Sequence, residues 1–399
     1  MKILHCTSTL DPAHGGPPAV VLRLASAQAA LGHQVAILHG PRAQAHERIA
    51  ASLRTVPQID RVTIQDYPTR GEGLSGFLAR AEEPALRALV PGADIVHIHE
   101  VWSPLALRAA QAARSARVPF VVTVHGMIHP WALAQGAFKK RLVRALWVDA
   151  LLRDSAFIHA LNADEGVFAR ALGTGASIEI IPNGVFAHEF ADLPARGAFR
   201  AAHGLGEGPL VLFLSRLHHK KGLDLLADAW PQVLARVPSA RLAVAGPDGG
   251  DGSAQRFSEA VVRAGLQGSV SLVGPLYERD KLQALVDADV FCLPSRQEGF
   301  SIAILEALAC ATPVAITGEC CFPEVAQAPA TAPGEPIGAG TITPALNAAN
   351  VAQGLIRLLT EPARARAMGR NGRQMVLERF TWPSIAERML EAYERRTKG

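Results

Sequence analysis

Short apolar runs alternate with longer segments whose apolar positions recur every three or four residues, and the alternation persists along the whole chain. Runs at 2–6, 34–38, 94–99, 120–124, 156–160 and 178–181 read as strands. Helical spacing fills the gaps, first over 18–31, where Gly32 marks the stop. A second series follows at 209–214, 242–245, 270–273, 290–293 and 313–316, with helices at 223–234, 347–359, 362–380 and from 382 onward. Apolar strands joined by helices predict parallel sheets covered on both faces. The expected class is α/β, with two doubly wound, Rossmann-like domains over 1–190 and 209–375, joined by a linker at about 186–208 that is rich in Ala, Gly and charge.

The most informative stretch is FCLPSRQEGFSIAILEALACATPVAIT, residues 291–317. Ser301 is placed to cap a helix whose buried side carries Ile302, Leu305, Leu308 and Ala309. Glu298 lies in the loop before it. Glu306 follows roughly 7–8 Å along the helix at about 1.5 Å of rise per residue, so both carboxylates can border one pocket at the end of the strand. A helix N-terminus favours phosphate, whereas carboxylates suit neutral hydroxyls. Together they describe a site for a pyrophosphate flanked by two polyols, as in a nucleotide-sugar. Two exposed glutamates on a loop and a helix are the plain alternative.

Glu298-Gly299-Phe300-Ser301 followed by Glu306, with Pro294-Ser295 before and ALACATPV after, resembles the double-glutamate signature of the retaining glycosyltransferases of family 4, which have the GT-B fold. Further matches extend the resemblance over nearly the whole chain. HGM-x-x-PWAL from His125, PNGV from Pro182 and SR…KG with Arg216 and Lys221 each resemble family segments. The resemblance implies two domains facing a cleft, with a helix at 376–399 crossing back to the first. It implies that His125 contacts the donor sugar, that Arg216 and Lys221 neutralise the leaving diphosphate, and that Glu298 with the Gly299–Ser301 backbone orients the sugar. Glu306 would hold the ribose. The strand end at Gly274 would meet the base, and Gly15 and Gly16 would approach the donor phosphate and the acceptor. No carboxylate need act as a covalent nucleophile, and a front-face displacement assisted by the leaving phosphate is what the family implies. The expected activity is metal-independent hexosyl transfer, with retention, from a UDP- or GDP-sugar to a glycan or lipid-linked acceptor in bacterial surface polysaccharide synthesis. No cofactor is expected. A nucleotide-sugar 2-epimerase and a non-catalytic nucleotide-sugar binding protein are the rival readings.

Composition trims this picture. The chain has 399 residues, 49% hydrophobic and 19% charged, enough for two cores. No apolar run reaches the length of a membrane span, and MKILHCTSTL reads as a first strand rather than a signal peptide. A net charge of +4 gives no reason to expect nucleic acid. Five cysteines lack metal or disulfide spacing, which suits a reducing, cytoplasmic setting. Residues 138–153 form a basic amphipathic helix with Lys139, Lys140, Arg141 and Arg144, readable either as a solvated helix or as a contact with anionic membrane. His97 and His99 alternate onto one strand face and read as structural, as does His129. Asp287-Ala288-Asp289 imitates a metal-binding D-x-D but runs straight into a strand, so it reads as coincidental and no metal site is expected.

Overall fold

The structure, a computed structural model, describes residues 1–40, 45–67 and 84–397. The chain divides into two compact units, Met1–Asn183 with Trp382–Gly399, and Gly184–Thr381.

The first unit is built on β1 (Lys2–Thr7), β2 (Gln34–His39), β3 (Val62–Asp66), β4 (Ile95–His99), β5 (Phe120–Thr123), β6 (Phe157–Ala160) and β7 (Ile178–Ile180). They form one parallel sheet in the order β3-β2-β1-β4-β5-β6-β7. The order turns back between β1 and β4, and doubly wound sheets bind ligands outside the strand ends at such a point. Strand β3 escaped the sequence pattern because only Val62 of its five residues is buried.

Alternation along the strands separates two faces. Leu4, Cys6, Val96, Ile98, Val122 and Ile158 share a core that also takes in Leu105, Ala106 and Ala109 of the helix Pro104–Ala116. The intervening positions carry His5, His97, His99, Thr123 and His159, all buried. Gln28 of the helix Gly16–Ala30 and Tyr393 of the final helix Trp382–Thr397 bond to this polar row, and the two helices touch.

The second unit contains β8 (Leu210–Leu214), β9 (Arg241–Ala245), β10 (Val270–Gly274), β11 (Val290–Leu293), β12 (Val314–Thr317) and β13 (Gly340–Thr343). These too are parallel, in the order β10-β9-β8-β11-β12-β13, with the switch between β8 and β11.

The segment expected as a linker is part of this unit. Phe190, Phe199 and Leu205 are buried in its core, each contributing roughly 1.5–3 kcal/mol by leaving water. Asp287 and Asp289 fasten the segment. Asp287 accepts the Arg200 N–H at 2.9 Å and the Gly197 N–H, while Asp289 pairs with Arg196 and, at 2.7 Å, with Arg200. Both aspartates of the apparent D-x-D are thus occupied in structure.

Candidate functional site

The second unit gathers its candidates at the carboxyl ends of β8 and β11, on either side of the switch. Arg216 follows β8 by two residues, and its Nε is buried with no hydrogen-bond partner among the described residues. Lys221 closes the short turn His219–Lys221. Gly222 has φ +72°, and a Cβ there would lie 1.9 Å from the Pro294 carbonyl oxygen. Only glycine lets the lysine turn press against the end of β11. Asp251, in the glycine-rich loop after β9, accepts the His219 N–H at 2.8 Å and holds the same turn from the other side.

Lys221 Nζ lies 2.6 Å from Glu298 Oε1, which also accepts the Ser295 hydroxyl at 2.6 Å. Lys221 and Glu298, expected at the phosphate and at the sugar, therefore neutralise one another. Glu298 is only 9% exposed, so removing either partner would strand a buried charge. Glu306 is also paired, with Lys281 Nζ at 2.6 Å, a partner the sequence reading missed. Lys281 sits on the helix Glu278–Asp287, 25 residues away in sequence, and only the packing of two helices joins them.

Ser301 occupies the N-cap of the helix Ile302–Ala309 as expected, but its side chain makes no capping bond. The first N–H groups therefore lack that partner. The Phe300 ring is taken up by Phe322 and Phe380, at 5.2 and 6.1 Å between centroids. Gly274 ends β10 at φ +77°, where a side chain would be strained but not crowded.

In the first unit, Gly15 precedes the helix Gly16–Ala30 at φ +94°, and a Cβ at Gly16 would meet open space. His125 follows β5 at φ +47°, an uncommon conformation for a residue with a side chain. The next residue is clamped: buried Glu165 accepts the Gly126 N–H through one oxygen and the Leu161 N–H, at 2.6 Å, through the other. Burial raises the Glu165 carboxyl to about 7 against the pull of these two donors. Its place three residues after the cap Asn162 was the available signal, but sequence gives no hint that the carboxylate turns back toward the end of β5.

His125 Nε2 lies 3.2 Å from His99 Nδ1, so the buried histidine row reaches the candidate site. Burial, reinforced by His159, pushes His125 down to about 3, and burial lowers His5 and His159 to about 4. His97 and His99 are driven well below the ordinary histidine value for the same reason, and the row is neutral. His5, His97 and His99 offer nitrogens within 4.8 Å of one another, a spacing that suits a metal ion. Each of their nitrogens already has a hydrogen-bond partner. His129 is an N-cap, its Nδ1 accepting the Trp131 N–H at 3.1 Å. A cavity of about 670 Å³ lined by Met1, Asp94, Arg114 and Arg117 borders Met1 and Phe120, at the amino-terminal edge of the first sheet, away from these residues.

The basic helix is interrupted by a wider turn at Arg144–Val148. Lys140 is drawn inward to the Ala132 carbonyl and Arg144 pairs with Asp149 at 3.0 Å. Phe138, Leu142 and Leu146 stand 84, 55 and 65% exposed, with Lys139 and Arg141 exposed beside them. Among the described residues, no helix is long and apolar enough to cross a membrane.

Two family models cover most of the chain: Glycosyl transferase 4-like domain matches residues 15–184 and Glycosyl transferases group 1 matches residues 196–375. A GDP-mannose-dependent alpha-(1-6)-phosphatidylinositol monomannoside mannosyltransferase of Mycolicibacterium smegmatis is 30% identical over 74% of this chain and 76% of its own length. A phosphatidyl-myo-inositol mannosyltransferase of Mycobacterium leprae is 27% identical over 95% of this chain and 93% of its own. Among solved structures, Anabaena HepE in complex with UDP and glucose aligns with a TM-score of 0.78 at 18% identity, covering 99% of this chain and all of that one. Two doubly wound sheets, the matched family models and these relatives lead to one assignment: the chain belongs to the family 4 glycosyltransferases and has the GT-B fold.

Proposed function

We propose that the protein is a retaining, metal-independent hexosyltransferase that moves a sugar from a UDP- or GDP-sugar to a glycan or lipid-linked acceptor in bacterial surface polysaccharide assembly. The observation that carries this reading is the switch point of the second unit: an arginine with a buried, unpartnered Nε, the Lys221–Glu298 pair, and a helix N-terminus without a side-chain cap. Diphosphate binding would draw Lys221 away from Glu298, freeing the carboxylate to accept hydrogen bonds from sugar hydroxyls. As the bond from the anomeric carbon to the diphosphate breaks, Arg216, Lys221 and the N–H groups after Ser301 would stabilise the departing charge. The acceptor oxygen would bond to the same face of that carbon, its proton passing to a phosphate oxygen of the leaving group. Glu306 would hold the ribose, Gly274 would border the base, Gly15 and Gly16 would lie by the phosphate and acceptor, and His125 would touch the sugar. Two cations and a helix terminus would carry the charge that a metal supplies in other transferases.

The mannosyltransferase relatives make GDP-mannose the first donor to test. Their lipid acceptors, together with exposed Phe138, Leu142 and Leu146 beside Lys139 and Arg141, support a peripheral position on the inner face of the cytoplasmic membrane. The test combines thermal stabilisation by a panel of GDP-, UDP- and ADP-sugars with transfer of labelled sugar to lipid-linked acceptors. A donor at 100 times its dissociation constant should add about 2.7 kcal/mol of stability. The gain should vanish in Arg216→Ala, and label should appear in the acceptor with its anomeric configuration kept. Well-folded protein that no nucleotide-sugar stabilises, or that releases an epimerised sugar without acceptor, would sink this reading.

A further inference from the structure

We propose that the buried histidine row is a proton-ordered relay that locks His125 in its neutral Nε2–H tautomer and so presents Nδ1 to the site as an acceptor. The order follows from one fixed end. His159 Nε2 lies 2.7 Å from the Ile181 carbonyl oxygen, which can only accept, so Nε2 carries the proton and Nδ1 is a lone pair. That lone pair, 2.7 Å from Thr123 Oγ1, takes the only hydroxyl proton Thr123 has. Thr123 must then accept from His97 Nε2, at 2.5 Å, which leaves His97 Nδ1 to accept the Tyr393 hydroxyl. Tyr393 in turn accepts the Gln28 amide N–H at 3.4 Å, and the Gln28 oxygen accepts from His5 Nε2 at 2.7 Å. His5 Nδ1 accepts from His99 Nε2 at 2.9 Å, and His99 Nδ1 accepts from His125 Nε2 at 3.2 Å.

Every proton in the chain has one place. Reversing any link propagates to Ile181, where a carbonyl would have to donate, or leaves a buried pair of acceptors face to face. The orientation of the Gln28 amide is decided by the same logic, because turning it would ask Thr123 for a second proton. The row is therefore a dead end for proton conduction and a lock for tautomer choice. His5, His97, His99, His159, Thr123, Gln28 and Tyr393 are all buried, while His125 alone keeps partial exposure. Among the described residues no hydrogen bond engages His125 Nδ1, so a group that meets it must donate, as a sugar hydroxyl does. That last consequence rests on the proposed role of His125; the lock itself does not.

The test is a long-range proton–nitrogen correlation spectrum of the full chain with labelled histidine, which reports the ring nitrogen that bears the proton. All five rings should read as neutral Nε2–H at pH 7, with His125 assigned by its loss in His125→Asn. Thr123→Val and Tyr393→Phe cut the relay at two places while keeping shape. Each should convert His125 to a mixture of tautomers and lower kcat in proportion to the fraction in the wrong form, about twofold for an even mixture. Thr123→Ser should keep the lock. An Nδ1–H or mixed His125 in the unaltered protein overturns the proposal, as does a lock that survives both cuts. So does uptake of Zn²⁺ by His5, His97 and His99, since coordination needs lone pairs that the relay commits elsewhere. The spectrum decides even if the variants unfold. A locked His125 without turnover on any nucleotide-sugar would refute the proposed function and spare the relay; turnover with an unlocked His125 would do the reverse.

Discussion

Acidification should unfold the first unit well before the second. Free histidine takes up its proton near pH 6.5, whereas burial holds His5 and His159 at about 4 and His125 at about 3. Between those limits the unfolded chain binds more protons than the folded one, so the stability these residues give is full above about pH 6.5 and drains as pH falls toward 4. Each contributes a slope of about 1.4 kcal/mol per pH unit, or about 2 kcal/mol from pH 6.5 to 5. Three such residues make about 6 kcal/mol, and His97 and His99, shifted the same way, add to it. Glu165 works in the opposite sense. Its folded value of about 7 lies above the ordinary 4.5, so it destabilises at neutral pH and gives back about 2 kcal/mol on acidification over the same range. The net loss is on the order of 4 kcal/mol or more, a large share of the roughly 5–15 kcal/mol that stabilises an ordinary domain. Native-state hydrogen exchange at pH 7, 6 and 5 checks this directly. Amides of β4 and β5 should lose protection steeply while those of β8 and β11 change little. Equal protection of β4 at pH 7 and 5 would refute the reasoning, because it would mean that the row is charged or hydrated in the folded state.

Three further outcomes follow from the second unit and the basic helix. Lys221→Met should cost about 3–5 kcal/mol by stranding the Glu298 carboxylate, and Lys221→Met with Glu298→Gln should recover most of it; chemical denaturation of both variants measures the coupling, and equal losses would show that the pair is not buried as described. Gly222→Ala, placing a Cβ 1.9 Å from the Pro294 carbonyl at positive φ, should lower the melting temperature and weaken nucleotide binding together; calorimetry that finds neither change would contradict the close approach. Replacing Phe138, Leu142 and Leu146 by Glu should abolish co-sedimentation with anionic vesicles while leaving the melting temperature within a degree or two, since all three side chains are exposed.

Much of this was written locally. Apolar runs and helical spacing lie within a few residues of one another, so they announce strands, helices and the parallel class before any tertiary contact is made. The Glu298–Glu306 motif, the placing of Ser301 before its helix, and the alternation of His97 and His99 are legible for the same reason. Weakly patterned β3 was not, because an exposed strand carries little period to read. The presumed linker misled through composition: Ala, Gly and charge around 186–208 concealed Phe190, Phe199 and Leu205, whose burial depends on a core assembled elsewhere.

The partners of the functional groups were decided only by folding. Sequence names Lys221, Glu298 and Glu306, but not that the first two neutralise each other or that Lys281 meets the third. It places a serine at the helix start without saying that its hydroxyl makes no cap. It shows His5, His97, His99 and His159 on three strands, yet the relay needs His97 and Tyr393, 296 residues apart, within one hydrogen bond. Secondary structure follows from interactions along the chain and is therefore visible in short stretches. Protonation state and charge pairing follow from desolvation and from what lies a few ångströms away through space, and these exist only once distant segments have closed over one another.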